Sequence, residues 1–438
     1  MSLPEVNLEN WRQKVRQARI LRPTGQVVRV IGLTVEVKGI AARVGEVCDI
    51  VVPGEGNVVA EVVGFRERST LLMPLGELRG VYPGCHVVPR GKSLAIRVSD
   101  ALLGRVLDGL GHPLDNRNGV KNGIDFPVDN KPPNPLERRR IKEVLATGVR
   151  AIDAFLTCGR GQRIGIFSGS GVGKSTLLGM VARFSAADVN VIALVGERGR
   201  EVRDFIEGDL GEQGLARSVV VAATSDQPAL VRLKAAFVAS AVAEYFRDQG
   251  KDVLLLMDSV TRFAMAQREV GLAIGEPPST RGYTPSVFAL LPKLLERSGM
   301  SPRGSITAFY TVLVEGDDLN EPIADAVRGI LDGHIVLSRE LAARNHYPAI
   351  DVLNSVSRLM PEIVSAEHFR QAGRLRDLLA TYRQAEDLIN IGAYVSGSNP
   401  KIDEAIRYYD GITGFLKQDM SETSAYADTL GQLQSLAR

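Results

Sequence analysis

Residues 164–178 read IGIFSGSGVGKSTLL: an apolar segment, a glycine-rich turn, then Lys174, Ser175 and a helical run. In that order, successive backbone N–H groups and a helix N-terminus converge on phosphate oxygens. Gly169, Gly171 and Gly173 are needed because side chains would block the approach and some positions require positive φ. Ser170, Val172 and Thr176 complete the cradle. Lys174 then reaches the β and γ phosphates of a nucleotide, and the Ser175 hydroxyl is placed to ligate Mg2+. One position departs from the strict pattern GxxxxGK[ST], which asks for glycine where this chain has Ser168. Serine is small, and the loop is expected to survive it.

Two acids belong to the same chemistry. The apolar run Val253 to Met257 leads into Asp258, a carboxylate at the end of a buried strand, where it can hold magnesium through water. Val191 to Val195 leads into Gly196, Glu197 and Arg198, with the glutamate placed to polarise an attacking water. A lone acid at a strand end is usually a solvated cap. Two of them on a sheet that also carries a phosphate loop favour catalysis.

These side chains require a layered α/β frame. Past residue 95, Val, Ile and Leu runs alternate with helical stretches, which predicts a mostly parallel sheet buried on both faces. The predicted strands are Arg163–Phe167, Val189–Val195, Ser218–Ala223, Val253–Met257, Ser305–Val314 and His334–Leu337. Between Gly25 and Arg90 short β-branched segments with turn residues predict a small β-barrel: Gln26–Val30, Leu33–Val37, Val47–Val51, Val58–Gly64 and His86–Val88. Beyond Pro361 helical patterns such as Phe369–Ile389 take over, and the serine-bearing tail after Met420 reads as a fraying end. The predicted boundaries are 1–20 for an N-terminal helix, 21–92 for the barrel, 93–360 for the α/β domain and 361–438 for the helical domain.

In the first segment Leu8, Trp11, Val15 and Ala18 form one helical stripe, with Arg12, Lys14, Arg16 and Arg19 on the other face. Such a helix either packs on its own domain or docks a partner or an acidic membrane surface. The balance of 53 basic and 51 acidic residues provides no global field for a polyanion, so specific nucleic-acid binding is not expected. Apolar runs fall far short of the roughly 18 residues of a membrane span, and no signal peptide opens the chain, which points to the cytoplasm. Cys48, Cys85 and Cys158 are odd in number and lack paired spacing, against both a disulfide framework and a structural zinc site.

Several longer segments accompany the phosphate loop: GERGRE (Gly196–Glu201), MDSVTRFA (Met257–Ala264), GEPPSTRGYTPSVFALLPKLLER (Gly275–Arg297), VEGDDLNEPIADAVRGILDGHIVLSR (Val314–Arg339) and NHYPAIDVLNSVSR (Asn345–Arg358). Together they resemble the flagellar protein-export ATPases, relatives of the injectisome ATPases and of the catalytic subunit of rotary ATP synthases. The resemblance runs from about residue 20 into the C-terminal region and is most specific in the centre.

It implies a RecA-like P-loop NTPase domain that hydrolyses ATP with Mg2+ as a homohexameric ring, promoting entry of flagellar substrates into an export gate. It also assigns roles: Lys174 to the phosphates, Ser175 to magnesium, Glu197 to catalysis and Asp258 to the Walker B carboxylate. Arg198 and Arg262 match arginines near the γ-phosphate, Tyr347 the aromatic that stacks on adenine, and Arg358 the arginine finger offered to a neighbouring subunit. From the residues alone, Tyr347 followed by Pro348 reads more often as packing, and Arg358 as any paired arginine. The partners implied are a regulator on the N-terminal helix, a central stalk protein, export chaperone–substrate complexes and the membrane export gate. The implied location is peripheral to the membrane export apparatus.

Other classes compete. An injectisome ATPase shares the whole site. A rotary synthase subunit is disfavoured because the C-terminal region lacks a dense acidic lever segment; Gln384 to Asp387 carries only Glu386 and Asp387. An RNA translocase would need aromatic platforms in the barrel, where Phe65 and Tyr82 are the aromatics between Gly25 and Arg90. A purely structural nucleotide-binding subunit would not need both Lys174 and Glu197.

Overall fold

A computed structural model describes residues 23–438 apart from Asn116, Glu315 and Asp317. The amphipathic segment carrying Trp11 lies outside the described residues. The chain divides into two compact units at Leu94 and Ala95.

The first unit is a closed barrel. Its strands, in chain order, are β1 (Gly25–Ile31), β2 (Thr34–Lys38), β3 (Glu46–Val52), β4 (Gly56–Arg66), β5 (Ser69–Pro74) and β6 (His86–Ser93). They pair in the order β1-β2-β5-β4-β3-β6, and β6 returns antiparallel to β1. Closure leaves no sheet edge exposed. Val35, Val37, Ile50, Val62, Leu72 and Val87 fill the interior with Cys48 and Cys85. Burial pushes the Cys48 thiol up to about 12, so it behaves as a small apolar side chain. Sequence periodicity missed β5: Leu71, Leu72 and Met73 are neither β-branched nor alternating, because every one of them is buried.

The second unit is built on a nine-stranded sheet. From one edge its order is Val356–Ser357, Gly333–Leu337, Arg163–Ser168, Ser305–Leu313, Asp252–Asp258, Val189–Glu197, Ser218–Thr224 and Arg105–Asp108, with Gly299–Met300 pairing beside Ser305–Leu313. The pairings are parallel except for Val356–Ser357 and Gly299–Met300. All six predicted central strands are present. The short edge strand Arg105–Asp108 carried too little pattern to read.

Helix Lys174–Phe184 follows the first central strand and buries Leu177, Leu178, Met180 and Val181. Gly179 lies on its inner face, where an added Cβ would meet the Asp209 carbonyl oxygen at 2.6 Å. That closeness ties the helix to the π-helical turn Phe205–Leu210 downstream of Glu197.

The C-terminal helices Ala366–Asn390, Pro400–Leu416 and Tyr426–Leu436 belong to the same unit and share its apolar core. Ser365 caps the first, accepting from the His368 N–H at 3.2 Å, and Asn399 caps the second. The tail after Met420 does not fray: it forms a helix whose Leu433 and Thr429 are fully buried. Leu430, Leu433 and Leu436 repeat at i, i+3, i+6 among the serines and explain that packing. Among the described residues no helix is long and apolar enough to cross a membrane.

Candidate active site

The phosphate loop runs from the last residue of strand Arg163–Ser168 to the first turn of helix Lys174–Phe184. Gly171 (φ 79°) and Gly173 (φ 86°) take left-handed conformations that only glycine adopts cheaply. Ser168 does not. It is still in the strand, paired with Leu313 and Leu337 on either side, so a Cβ there is tolerated and the loop beyond it keeps its shape. At Gly169 an added Cβ would come within 2.5 Å of the Arg339 guanidinium, the end of a long side chain that would have to shift aside.

Three neighbouring strand ends bring the charged groups together. Asp258 ends its strand almost fully buried, and its Oδ1 accepts from the Lys174 ammonium and from Thr311 Oγ1, the latter at 2.7 Å. Glu197, at the end of the next strand, lies 3.9 Å from Lys174 Nζ and 3.1 Å from the Arg262 guanidinium. Arg262 also donates to the Gly196 carbonyl. Two cations thus face two carboxylates in a site largely buried from solvent.

Burial raises the Glu197 carboxyl well above the ordinary glutamate range, and the Asp258 carboxylate raises it further, while Lys174 and Arg262 pull the other way. One buried Glu197 oxygen, Oε1, has no hydrogen-bond partner. A buried, unsatisfied acceptor costs free energy and suits a group that waits for a water or ligand proton.

On the other side of the loop lies a cavity of ≈ 420 Å³ lined by Gly171, Gly173, Thr176, Tyr347, Pro348 and Gln418, among others. Tyr347 is half-exposed, and its ring would stand 3.3 Å from a Cβ on Gly173. An aromatic face next to a phosphate cradle fits a purine. Gln418 holds this wall: its N–H donates to the Tyr347 carbonyl at 2.9 Å, its Oε1 accepts from the Arg150 N–H at 2.8 Å and its Nε2 donates to the Gly148 carbonyl at 2.8 Å.

The donor set also fits magnesium. Ser175 presents an exposed hydroxyl in the first helical turn and Asp258 a carboxylate; both are hard oxygen donors.

Two candidates stand apart. Arg198 is exposed and pairs with Glu201 at 2.8 Å, outside the buried cluster. Arg358 lies at the opposite end of the sheet. Its N–H donates to the Asp332 carbonyl, next to Gly333, where strand Gly333–Leu337 begins, whereas the phosphate loop leaves level with Leu337. Five residues at about 3.3 Å each put roughly 16 Å between them. Arg358 is exposed, and among the described residues its guanidinium hydrogen-bonds to the Arg328 carbonyl, at 3.3 Å.

Thr311, Gln418 and Arg339 were not singled out from sequence. Thr311 and Gln418 carry no charge and stand in no motif, and Arg339 closes the segment Val314–Arg339 without a role of its own; only the sheet register and the return of the C-terminal segment bring Thr311 and Gln418 in.

The sequence matches the ATP synthase alpha/beta family in its beta-barrel domain over residues 27–91 and in its nucleotide-binding domain over 148–357. Residues 364–435 match the T3SS EscN ATPase C-terminal domain. The "Flagellum-specific ATP synthase" of Bacillus subtilis is 58% identical over 414 residues, 94% of each chain. The chain belongs to the ATP synthase alpha/beta family, in its type III secretion branch.

Within that family, the "Type 3 secretion system ATPase" of Xanthomonas euvesicatoria is 55% identical, covering 95% of this chain and 94% of its own. The assembled ATPase EscN from the enteropathogenic E. coli type III secretion system superposes with a TM-score of 0.90 at 49% identity, over 94% of this chain and 100% of EscN. EscN in complex with its central stalk EscO gives 0.88 at 48% identity, with the same coverage. The barrel, the mostly parallel sheet and the helical C-terminal region are therefore the family's fold, and its nucleotide-binding domain binds ATP.

Proposed function

We propose that this chain hydrolyses ATP with magnesium as a ring and that the reaction energises flagellar type III protein export. The observation that carries the chemistry is the buried cluster of Lys174, Glu197, Asp258 and Arg262 directly beneath a glycine cradle.

Each residue has a task. Loop amides and Lys174 hold the β and γ phosphates, and Lys174 exchanges its Asp258 partner for phosphate oxygens as the nucleotide arrives. Ser175 and Asp258 hold magnesium, which when bound neutralises charge on those oxygens. Glu197, its proton affinity raised by burial, orients the attacking water and takes its proton. Arg262 keeps Glu197 in place and lies near the γ-phosphate, with Arg198 at the rim. Tyr347 stacks on the adenine.

Arg358, a strand length from its own chain's loop, serves the next copy's nucleotide, where an arginine supplied in trans can be worth on the order of 10³ to 10⁵ in rate. The assembled state of EscN supports a ring of copies, and the EscN–EscO complex supports a stalk protein at its centre. A regulator on the N-terminal segment, chaperone–substrate complexes and the export gate complete the partners, at the cytoplasmic face of the export apparatus. Relatives with flagellar names favour that branch; an injectisome ATPase is the second reading, favoured by the C-terminal match.

The test is Glu197→Gln. It should bind Mg-ATP with near-normal affinity while steady-state phosphate release falls by about a hundredfold or more, within the range set by general-base loss. Turnover near that of the unaltered chain would remove Glu197 from its role and the proposed chemistry with it.

A further inference from the structure

Strand Ser305–Leu313 runs between the strand that feeds the phosphate loop and the strand that ends at Asp258. Its end fastens to both sides. Val314 N–H donates to the Ser168 carbonyl at 3.0 Å, and Leu313 N–H to Thr261 Oγ1 at 2.9 Å, three residues past Asp258. Thr311, fully buried, faces the carboxylate: its hydroxyl donates to Asp258 Oδ1 at 2.7 Å, with the Met257 carbonyl as a longer alternative acceptor at 3.3 Å. Asp258 Oδ2 has no hydrogen-bond partner among the described residues.

We infer that Thr311 is the positioning residue for Asp258 and thereby sets how tightly this site takes magnesium. This rests on Asp258 being the metal carboxylate, as proposed above. Asp258 Oδ1 has two donors, Lys174 and Thr311, and they differ in permanence. Lys174 is long and flexible and is needed at the phosphates once a triphosphate is present. Thr311 is β-branched, stiff at χ1, and fixed by sheet pairing on both sides, across from Ile166 on one strand and one residue beyond the Met257–Tyr310 pair on the other. When the ammonium leaves, the hydroxyl remains to hold Oδ1 against the sheet, and Oδ2 stays available to the metal's water. Without it, the carboxylate would be free to rotate, and ordering it would count against metal binding. Groups that orient a metal-holding carboxylate typically cost 10- to 100-fold in affinity when removed.

Valine has nearly the shape of threonine and lacks the hydroxyl, so Thr311→Val separates orientation from packing. A fluorescent ADP analogue titrated into the full chain, with and without magnesium, reads nucleotide affinity; magnesium titrated at fixed nucleotide reads metal affinity. Thr311→Val should bind metal-free nucleotide as the unaltered chain does, yet need roughly tenfold more magnesium. Thr311→Ser should restore the ordinary requirement, which a purely space-filling role would not produce. If valine prevents folding, Thr311→Ala gives the same comparison. Asp258→Asn separates the layers of the inference. An unchanged magnesium requirement in Thr311→Val beside a raised one in Asp258→Asn overturns the role of Thr311 alone. No change in either overturns the metal assignment of Asp258 as well.

Discussion

Glu197 is a carboxylate whose surroundings work against its charge. Burial and Asp258 favour the protonated form, while Lys174 and Arg262 oppose them. A base must be ionised to accept a proton, so activity of the free enzyme should rise with pH through this raised titration rather than near the ordinary value of about 4.3 for glutamate. The sign of a perturbation follows. Arg262→Ala removes a cation that stabilises ionised Glu197, so the acid limb of kcat/KM should move to higher pH as activity drops, by about tenfold or more for a lost charge-assisted contact. A limb that stays put or moves down would mean that Arg262 does not act on Glu197 electrostatically. Lys174, Asp258 and Glu197 were legible in sequence because each stands in a short recognisable segment: strand, glycine turn, Lys174; strand, Asp258; strand, Glu197; Arg262 entered only through the family resemblance. Thr311 was not, since it is an uncharged residue inside a buried strand with no motif around it, and only parallel register sets it against Asp258.

At the scale of elements, the legible parts were those with a repeating demand. Central strands buried on both faces need continuous apolar runs, and all six predicted ones formed. Strand Ser69–Pro74 escaped because Leu71, Leu72 and Met73 run through its buried centre without alternation or β-branching, and Arg105–Asp108 because four residues hold too little periodicity. The tail misled for the opposite reason. Its serines suggested a solvated end, but three leucines one turn apart outweigh them and dock helix Tyr426–Leu436 into the main core. Leu433→Ala should therefore cost about 2–4 kcal/mol, read as a lower denaturant midpoint with unchanged slope. A loss within about 0.5 kcal/mol, the usual effect of an exposed site, would return the tail to a frayed end. The same C-terminal segment supplies Gln418, so the wall behind Tyr347 depends on residues far beyond the loop that carries the tyrosine.

For the molecule as a whole, the decisive distance is the strand length between the phosphate loop and Arg358. If Arg358 completes a neighbour's site, Arg358→Ala and Glu197→Gln should each be nearly inactive alone and recover activity when mixed. In a mixed ring some interfaces join an intact Glu197 to an intact Arg358 contributed by the other variant. The measurement is phosphate release against mixing ratio, with a maximum at intermediate ratios and a steep dependence on total protein. A mixture no more active than its components would show that both groups must lie on one chain. Arg358 is exposed and glutamine has nearly the shape of Glu197, so a folding defect shared by both variants is not expected.

The placement of Arg358 has a cellular consequence. If Arg358 serves the next copy's nucleotide, as proposed, a solitary copy would grip a nucleotide and lack what is needed to spend it. Newly made chains would then accumulate without draining the energy supply, and consumption would start only where copies gather. Location would decide when the reaction runs.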